Sequence, residues 1–105
     1  MAIQDRAGEF ESRYAHDQEL RFRVETRGRR LLGQWAAGHL GKLGDDAAGY
    51  AEQIVQMGLA GSSDADVKAR IRKDFDAAGV DQSDHQIERH AQEALIEAEK
   101  QVAQA

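Results

Sequence analysis

Apolar residues recur at three- and four-residue spacing along most of the chain, and no segment shows the two-residue alternation of a strand. Breaks that contain glycine or serine divide this pattern into four amphipathic stretches. We predict helices at roughly residues 18–42, 46–57, 64–78 and 84–103. Ser63 and Ser83 each precede a helix and have Asp66 or Gln86 three positions later, which is the arrangement of a capping box. Four such helices with short connections predict an all-α four-helix bundle.

The first predicted helix is the longest, and its apolar stripe changes width along its length. In the first half only Leu20 and Val24 share a face. From Leu31 onward the apolar set is wider and contains Leu31, Leu32, Trp35, Ala36, Leu40 and Leu43. A wide apolar arc indicates burial among several neighbours. We therefore expect the second half of this helix to form the centre of the core, and the first half to lie at the edge of the bundle or project from it.

Small residues are concentrated in the second half of the same helix. These residues are Gly33, Ala36, Ala37 and Gly38. They would let a neighbouring helix approach closely, although glycine lowers helix propensity. We expect the first helix to end at Gly44 and Asp45 to cap the second.

The bundle is expected to span residues 17–105 and to follow a separate, mobile N-terminal segment at residues 1–16. The segment carries a helical apolar stripe of Ile3, Ala7, Phe10 and Tyr14. Gly8 lies inside this stripe and costs about 1 kcal/mol relative to alanine. Isolated helices of this length are marginal in water, so we expect a segment that is frayed when free and helical when docked. Its aromatic residues either cover one end of the bundle or insert into a groove of a partner protein.

Composition limits the class of protein further. The chain has 105 residues, no cysteine, no proline and a net charge of −5, with a charge of +2 in residues 1–44 and −7 in residues 45–105. Overall acidity argues against general binding to nucleic acids. The sequence contains neither a long apolar run nor the apolar stretch of a secretory signal, so we expect a cytoplasmic protein without direct membrane insertion.

The sequence offers no grouping of residues that is typical of catalysis or metal binding. The four histidines do not form a His-Glu-x-x-His motif or a histidine pair at i, i+4. The segment from Gly38 to Lys42 has the wrong residues for a phosphate-binding loop, and no strand precedes it. We therefore expect a protein that is not an enzyme, with no catalytic residues, no metal site and no required cofactor.

Several blocks of sequence point to one protein family. They are Ala15-His16-Asp17, Arg30-Leu31-Leu32-Gly33-x-Trp35-Ala36-Ala37-Gly38, Gly44-Asp45-Asp46-Ala47, Asp74-Phe75 and Ser83-Asp84-His85-Gln86-Ile87. Over nearly the whole chain they resemble the zeta subunit family, which are the ATPase-inhibitor subunits of alphaproteobacterial F-type ATP synthases. Gly8 departs from the resemblance, because relatives usually carry a better helix former there.

The resemblance implies a protein that inhibits ATP hydrolysis by the synthase. In this family the N-terminal segment enters a catalytic interface between the alpha and beta subunits as a helix, near the gamma stalk. The implied apolar anchors are Ile3, Phe10 and Tyr14, and the implied polar contacts are Arg6, Glu9 and Arg13. The implied partners are the alpha, beta and gamma subunits, which would hold an otherwise monomeric protein at the periphery of the inner membrane.

The resemblance also implies a weak ADP/ATP site on the bundle. Arg27, Arg29 and Arg30 are the candidates, because guanidinium groups bind phosphate oxygens in a fork geometry. The alternative is that these arginines form a solvated basic face that steers association with a partner. The competing function is a nucleotide-sensing helical bundle with a different protein partner.

Overall fold

The computed structural model describes residues 17–104 and contains four helices in this range, in the predicted order. They are α1 (Gln18–His39), α2 (Gly44–Leu59), α3 (Asp64–Ala78) and α4 (Asp84–Gln104). No strand occurs between residues 17 and 104, and the predicted all-α four-helix arrangement is confirmed. The predicted N-terminal segment lies outside the described residues. This applies to Ile3, Arg6, Glu9, Phe10, Arg13 and Tyr14.

Helix α1 ends at His39, three residues before the predicted end, because the chain turns at Gly41 and not at Gly44. Gly41 has a φ of 76°, in the left-handed region that favours glycine. The amide of Lys42 donates to the carbonyl of Ala37 at 3.0 Å, and the amide of Gly41 donates to that of Gly38 at 3.1 Å. These are the two hydrogen bonds of a Schellman motif, which closes the carboxyl end of a helix.

Two expectations for the start of α2 are wrong. Leu43, and not Asp45, occupies the N-cap position, and it makes no side-chain capping bond. Asp45 and Asp46 lie within the first turn, where their charges interact favourably with the amide end of the helix. Leu43 was expected in the core but is 82% exposed, because it lies in the loop between α1 and α2.

Helices α3 and α4 begin as the sequence predicts. The Ser63 hydroxyl accepts from the Asp66 amide at 3.1 Å, and the Ser63 amide donates to the Asp66 carboxylate at 3.2 Å. The Ser83 hydroxyl accepts from the Gln86 amide at 3.1 Å, and the Ser83 amide donates to the Gln86 side chain at 2.7 Å. Both capping boxes fix where the chain re-enters a helix after a short loop.

Helix α1 is the central element, because both α2 and α4 pack along it. Gly33 faces Ala51 and Ile54 of α2. On the other flank, Gly28 faces Leu95 of α4. The second half of α1 forms the core as predicted, but Val24 is also fully buried, so the first half does not simply project from the bundle.

Large side chains join α3 to this scaffold, and α3 lies less close to its neighbours than α2 and α4 lie to α1. Val67, Ile71 and Phe75 are almost fully buried. The ring centroids of Phe75 and Trp35 are 5.5 Å apart in an edge-to-face arrangement. Trp35 also stacks on His90 of α4, with ring centroids 4.2 Å apart. Bulky apolar contacts therefore complete the core where close helix approach ends.

We predict that Gly33→Ala destabilises the protein by about 1–3 kcal/mol, the usual cost of overpacking a core. A Cβ at position 33 would lie 2.8 Å from the Cα of Ala51, and backbone cannot move aside as a flexible side chain can. Chemical denaturation followed by circular dichroism measures the free energy of unfolding.

Gly38→Ala is the matched control, because it lies on the same helix and a Cβ there meets nothing within 4 Å. It should raise the free energy of unfolding by about 0.5–1 kcal/mol, since alanine favours helix over glycine. A Gly33→Ala variant that is as stable as Gly38→Ala would contradict the close approach.

Candidate functional site

Arg29 is the most constrained of the three arginines proposed for phosphate binding. Its side chain crosses the bare backbone of α2 at Gly58, where a Cβ would lie 2.6 Å from the Arg29 Cδ. Its guanidinium reaches the carboxylate of Asp64 at 3.4 Å. The Nε atom is buried and has no hydrogen-bond partner among the described residues. Arg29 therefore ties α1 to the end of α2 and the start of α3 and keeps one donor unused.

Arg30 and Arg27 point elsewhere. Arg30 donates to the carboxylate of Glu52 on α2 at 2.9 Å. Hydrogen bonds from Gln56 and then Arg30 hold the pKa of Glu52 below its usual value. Arg27 is exposed and lies about 160° around α1 from Arg29, on a helix that turns about 100° per residue. The structure thus does not bring the three arginines together around one ligand-sized space, and their assignment to a nucleotide stays a prediction.

A groove of about 260 Å³ lies beside Arg29, between α1, α3 and α4. Its floor is apolar and is formed by Gly28, Leu32, Val67, Ala91 and Leu95. Its rim is charged and includes Glu25, Arg29, Asp64, Lys68 and Glu88. Small-molecule sites also combine an apolar lining with a few polar groups, but they typically have larger volumes of roughly 300–1,000 Å³.

Lys68 of α3 and Glu88 of α4 form an ion pair at this rim, and the Glu88 carboxylate also accepts from Gln92 at 3.1 Å. The hydrogen bond and charge of Lys68 hold the pKa of Glu88 below its usual value. Sequence reasoning missed Asp64, Lys68 and Glu88 as neighbours of Arg29. Helical spacing places residues on a face of their own helix but does not show which faces meet.

A second polar cluster lies at the other end of the bundle, between α2 and α3. The Tyr50 hydroxyl donates to the Asp74 carboxylate at 2.7 Å, and Arg70 donates to the same carboxylate at 2.8 Å. Burial, followed by the hydrogen bond to Asp74, raises the pKa of Tyr50. The phenol therefore stays protonated and acts as a hydrogen-bond donor, which suits a structural link between the two helices.

Among residues 17–104, no group of three or more histidine, aspartate or glutamate side chains is arranged to hold a metal ion. His39 and His90 both pack against Trp35, with ring centroids 5.0 Å and 4.2 Å away. His85 is exposed on the first turn of α4. None of the described helices combines the length and the apolar character needed to cross a membrane.

Residues 17–104 thus form a small four-helix protein with a close helix contact at Gly33 and a groove beside Arg29. The family model for ATPase inhibitor subunit zeta matches residues 1–101, and the chain therefore belongs to this family. No curated protein and no solved structure matches the chain. Membership confirms the resemblance found in the sequence and supports a regulatory role as an inhibitor associated with the ATP synthase.

We predict that the ion pair between Lys68 and Glu88 makes the stability of the folded protein depend on pH in the acid range. A carboxyl group whose pKa is lowered by folding adds stability above its unfolded pKa and loses it as pH falls through the folded pKa. Glu88 has such a shift. Glu88→Gln should therefore be less stable than the wild type at pH 7, and the difference should shrink as pH falls below the ordinary glutamate pKa of about 4.3.

Thermal unfolding followed between pH 7 and pH 3 measures this difference. The control is Glu97→Gln, since the Glu97 carboxylate accepts from Gln101 on its own helix at 3.2 Å and does not join two helices. Equal losses for the two variants at every pH would contradict the role of the Lys68–Glu88 pair.

Proposed function

We propose that this protein inhibits ATP hydrolysis by the F-type ATP synthase, with its N-terminal segment inserting as a helix at a catalytic alpha/beta interface near the gamma stalk. The observation that supports this is the family match, which covers residues 1–101 and so includes the segment. Ile3, Phe10 and Tyr14 would anchor the helix, and Arg6, Glu9 and Arg13 would make its polar contacts. The partners would be the alpha, beta and gamma subunits, and the free protein would be a monomer.

The start of α1 suits such a segment. Asp17 is the N-cap residue, and its carboxylate accepts from the Leu20 amide at 3.0 Å. This cap marks where α1 begins and satisfies one of the free amides of its first turn. The segment can then order on a partner while the bundle stays unchanged. The ordering cost, increased by Gly8, would lower its affinity.

The experiment is ATP hydrolysis by the host's ATP synthase with added full-length chain or a chain that begins at Asp17. We expect the full-length chain to inhibit and the truncated chain to have no effect. Circular dichroism of the truncated chain shows that the bundle is folded. Equal inhibition by both chains would reject the role of the segment.

Phe10→Ala and Tyr14→Ala refine this test. Each should raise the concentration that gives half-maximal inhibition at least fivefold, because buried aromatic anchors commonly contribute more than about 1 kcal/mol to binding. Ile96→Ala is the control, since Ile96 is an apolar residue that is 52% exposed on α4. If all three variants inhibit like the wild type, the anchors are wrongly assigned.

A second candidate function is a nucleotide-sensing bundle with a different protein partner. One feature supports it: the groove with an apolar floor beside Arg29. A pull-down from the host separates the candidates, because recovery of the alpha, beta and gamma subunits supports the inhibitor.

An inhibitor of this family would be held at the cytoplasmic side of the inner membrane through the synthase.

For this second candidate function, we predict that ADP and ATP bind in the groove. In an NMR titration with ADP, the amides of Val67, Lys68 and Ala91, which line the groove on α3 and α4, should shift more than those around the exposed Arg27. Arg29→Gln should weaken binding, while Lys73→Gln, a change at an exposed α3 position, should not. Shifts confined to residues near Arg27 would place a nucleotide outside the groove.

A further inference from the structure

The first helix differs in charge from the other three. Helix α1 carries five arginines and two glutamates, a net charge of +3. Helices α2 and α4 each have a net charge of −3, and α3 is neutral, with histidine counted as uncharged. The net positive charge of the described bundle is thus confined to one helix, between two acidic neighbours.

Three of these arginines share one face of α1. Arg23, Arg27 and Arg30 lie within an arc of about 60°, on a helix that turns about 100° per residue. Arg23 is about 180° around the helix from Leu32, which lines the groove shared with α3. This outer face, defined by Arg23, Arg27 and Arg30, therefore points away from α3. It is separate from the groove and from Arg29.

The contacts within the bundle leave this face available to a partner. Among residues 17–104, the only ion pair of Arg23 is with its helical neighbour Glu19, at 3.8 Å, and both side chains are more than half exposed. Exposed pairs of this kind contribute little stability, so exchanging one for a partner's carboxylate costs little. Arg27 is exposed, and Arg30 marks the edge of the face through its bond to Glu52.

The outer face lies on the part of α1 that directly follows the N-terminal segment. Arg23 and Arg27 lie about 9 and 15 Å along α1 from its N-cap, at a rise of about 1.5 Å per residue. A protein that holds residues 1–16 would therefore have its surface within reach of this face. The acidic helices on either side would repel a long polyanion, whereas a local cluster of carboxylates on a protein would be attracted.

We propose that the outer face of α1 is a second docking surface, which binds an acidic patch on the same protein that receives the N-terminal segment. This inference rests on the proposed function. The segment causes the inhibition. The outer face raises the rate of association and orients the bundle on the partner, as charged rims of interfaces do.

The test compares inhibition of the host's ATP synthase by wild-type chain, Arg23→Gln/Arg27→Gln and Lys73→Gln/Lys100→Gln. Lys73 and Lys100 are exposed on α3 and α4. The lysine double variant therefore has the same net charge as the arginine double variant, but its changes lie outside the outer face. The arginine variant should need a roughly three- to tenfold higher concentration for half-maximal inhibition, which lies within the range for two exposed ion pairs. The lysine variant should behave like the wild type.

The salt dependence gives a second measure. Between about 50 and 300 mM salt, the affinity of the arginine variant should fall less steeply than that of the wild type, because fewer charges are screened. Arg23→Lys/Arg27→Lys should stay close to the wild type, since it keeps the charge. Circular dichroism checks that each variant is folded, and maximal inhibition should be the same for all.

Each outcome has one meaning. If the wild type inhibits and the arginine variant matches it in affinity and salt dependence, the docking surface is rejected while the proposed function stands. Equal losses in the arginine and lysine variants would also reject it, because net charge alone would explain them. If the wild-type chain does not inhibit, the proposed function itself fails.

Discussion

A Cβ at Gly33 would lie 2.8 Å from the Cα of Ala51, so the contact between α1 and α2 requires a residue without a side chain at this point. The rest of the bundle depends on this close approach. It places Ile54 directly against α1, and it lets Arg29 lie across the backbone at Gly58. Because packed interiors have almost no spare volume, a shift of α2 here would move every contact along the helix.

The groove arises because α3 packs less closely against its neighbours than α2 and α4 pack against α1. Small residues bring α2 and α4 close to α1, whereas large side chains such as Phe75 hold α3 further away. Space therefore remains where α3 passes α1 and α4, near Gly28 and Val67. The pair of Lys68 and Glu88 crosses its rim and joins α3 to α4 by charge, where apolar contact is incomplete.

The sequence predicts the local features of this fold and not the way in which its helices meet. Helical periodicity and the capping boxes at Ser63 and Ser83 depend on residues a few positions apart, and both are confirmed. The turn at Gly41 was missed because Gly38, Gly41 and Gly44 lie close together in sequence, and both Gly41 and Gly44 have a positive φ. Only the hydrogen bonds from the amides of Gly41 and Lys42 show which glycine closes the helix. Arg29 and Arg30 are adjacent in sequence, but neighbouring residues of a helix are rotated by about 100°. Their side chains therefore reach different partners, Asp64 on α3 and Glu52 on α2.

Helix α1 has an inner face and an outer face, and because the helix is rigid, packing of the inner face also fixes where the outer face points. Its inner face is made of small and apolar residues and is fixed between α2 and α4. Its outer face carries Arg23 and Arg27, whose direction is therefore set by the packing at Gly33 and Gly28 on the opposite flanks. If residues 1–16 enter a partner as proposed, the cap at Asp17 fixes where the rigid helix begins. A partner that binds both the segment and the arginines would then hold α1 at one rotation, so core packing would determine how the protein docks as well as how stable it is.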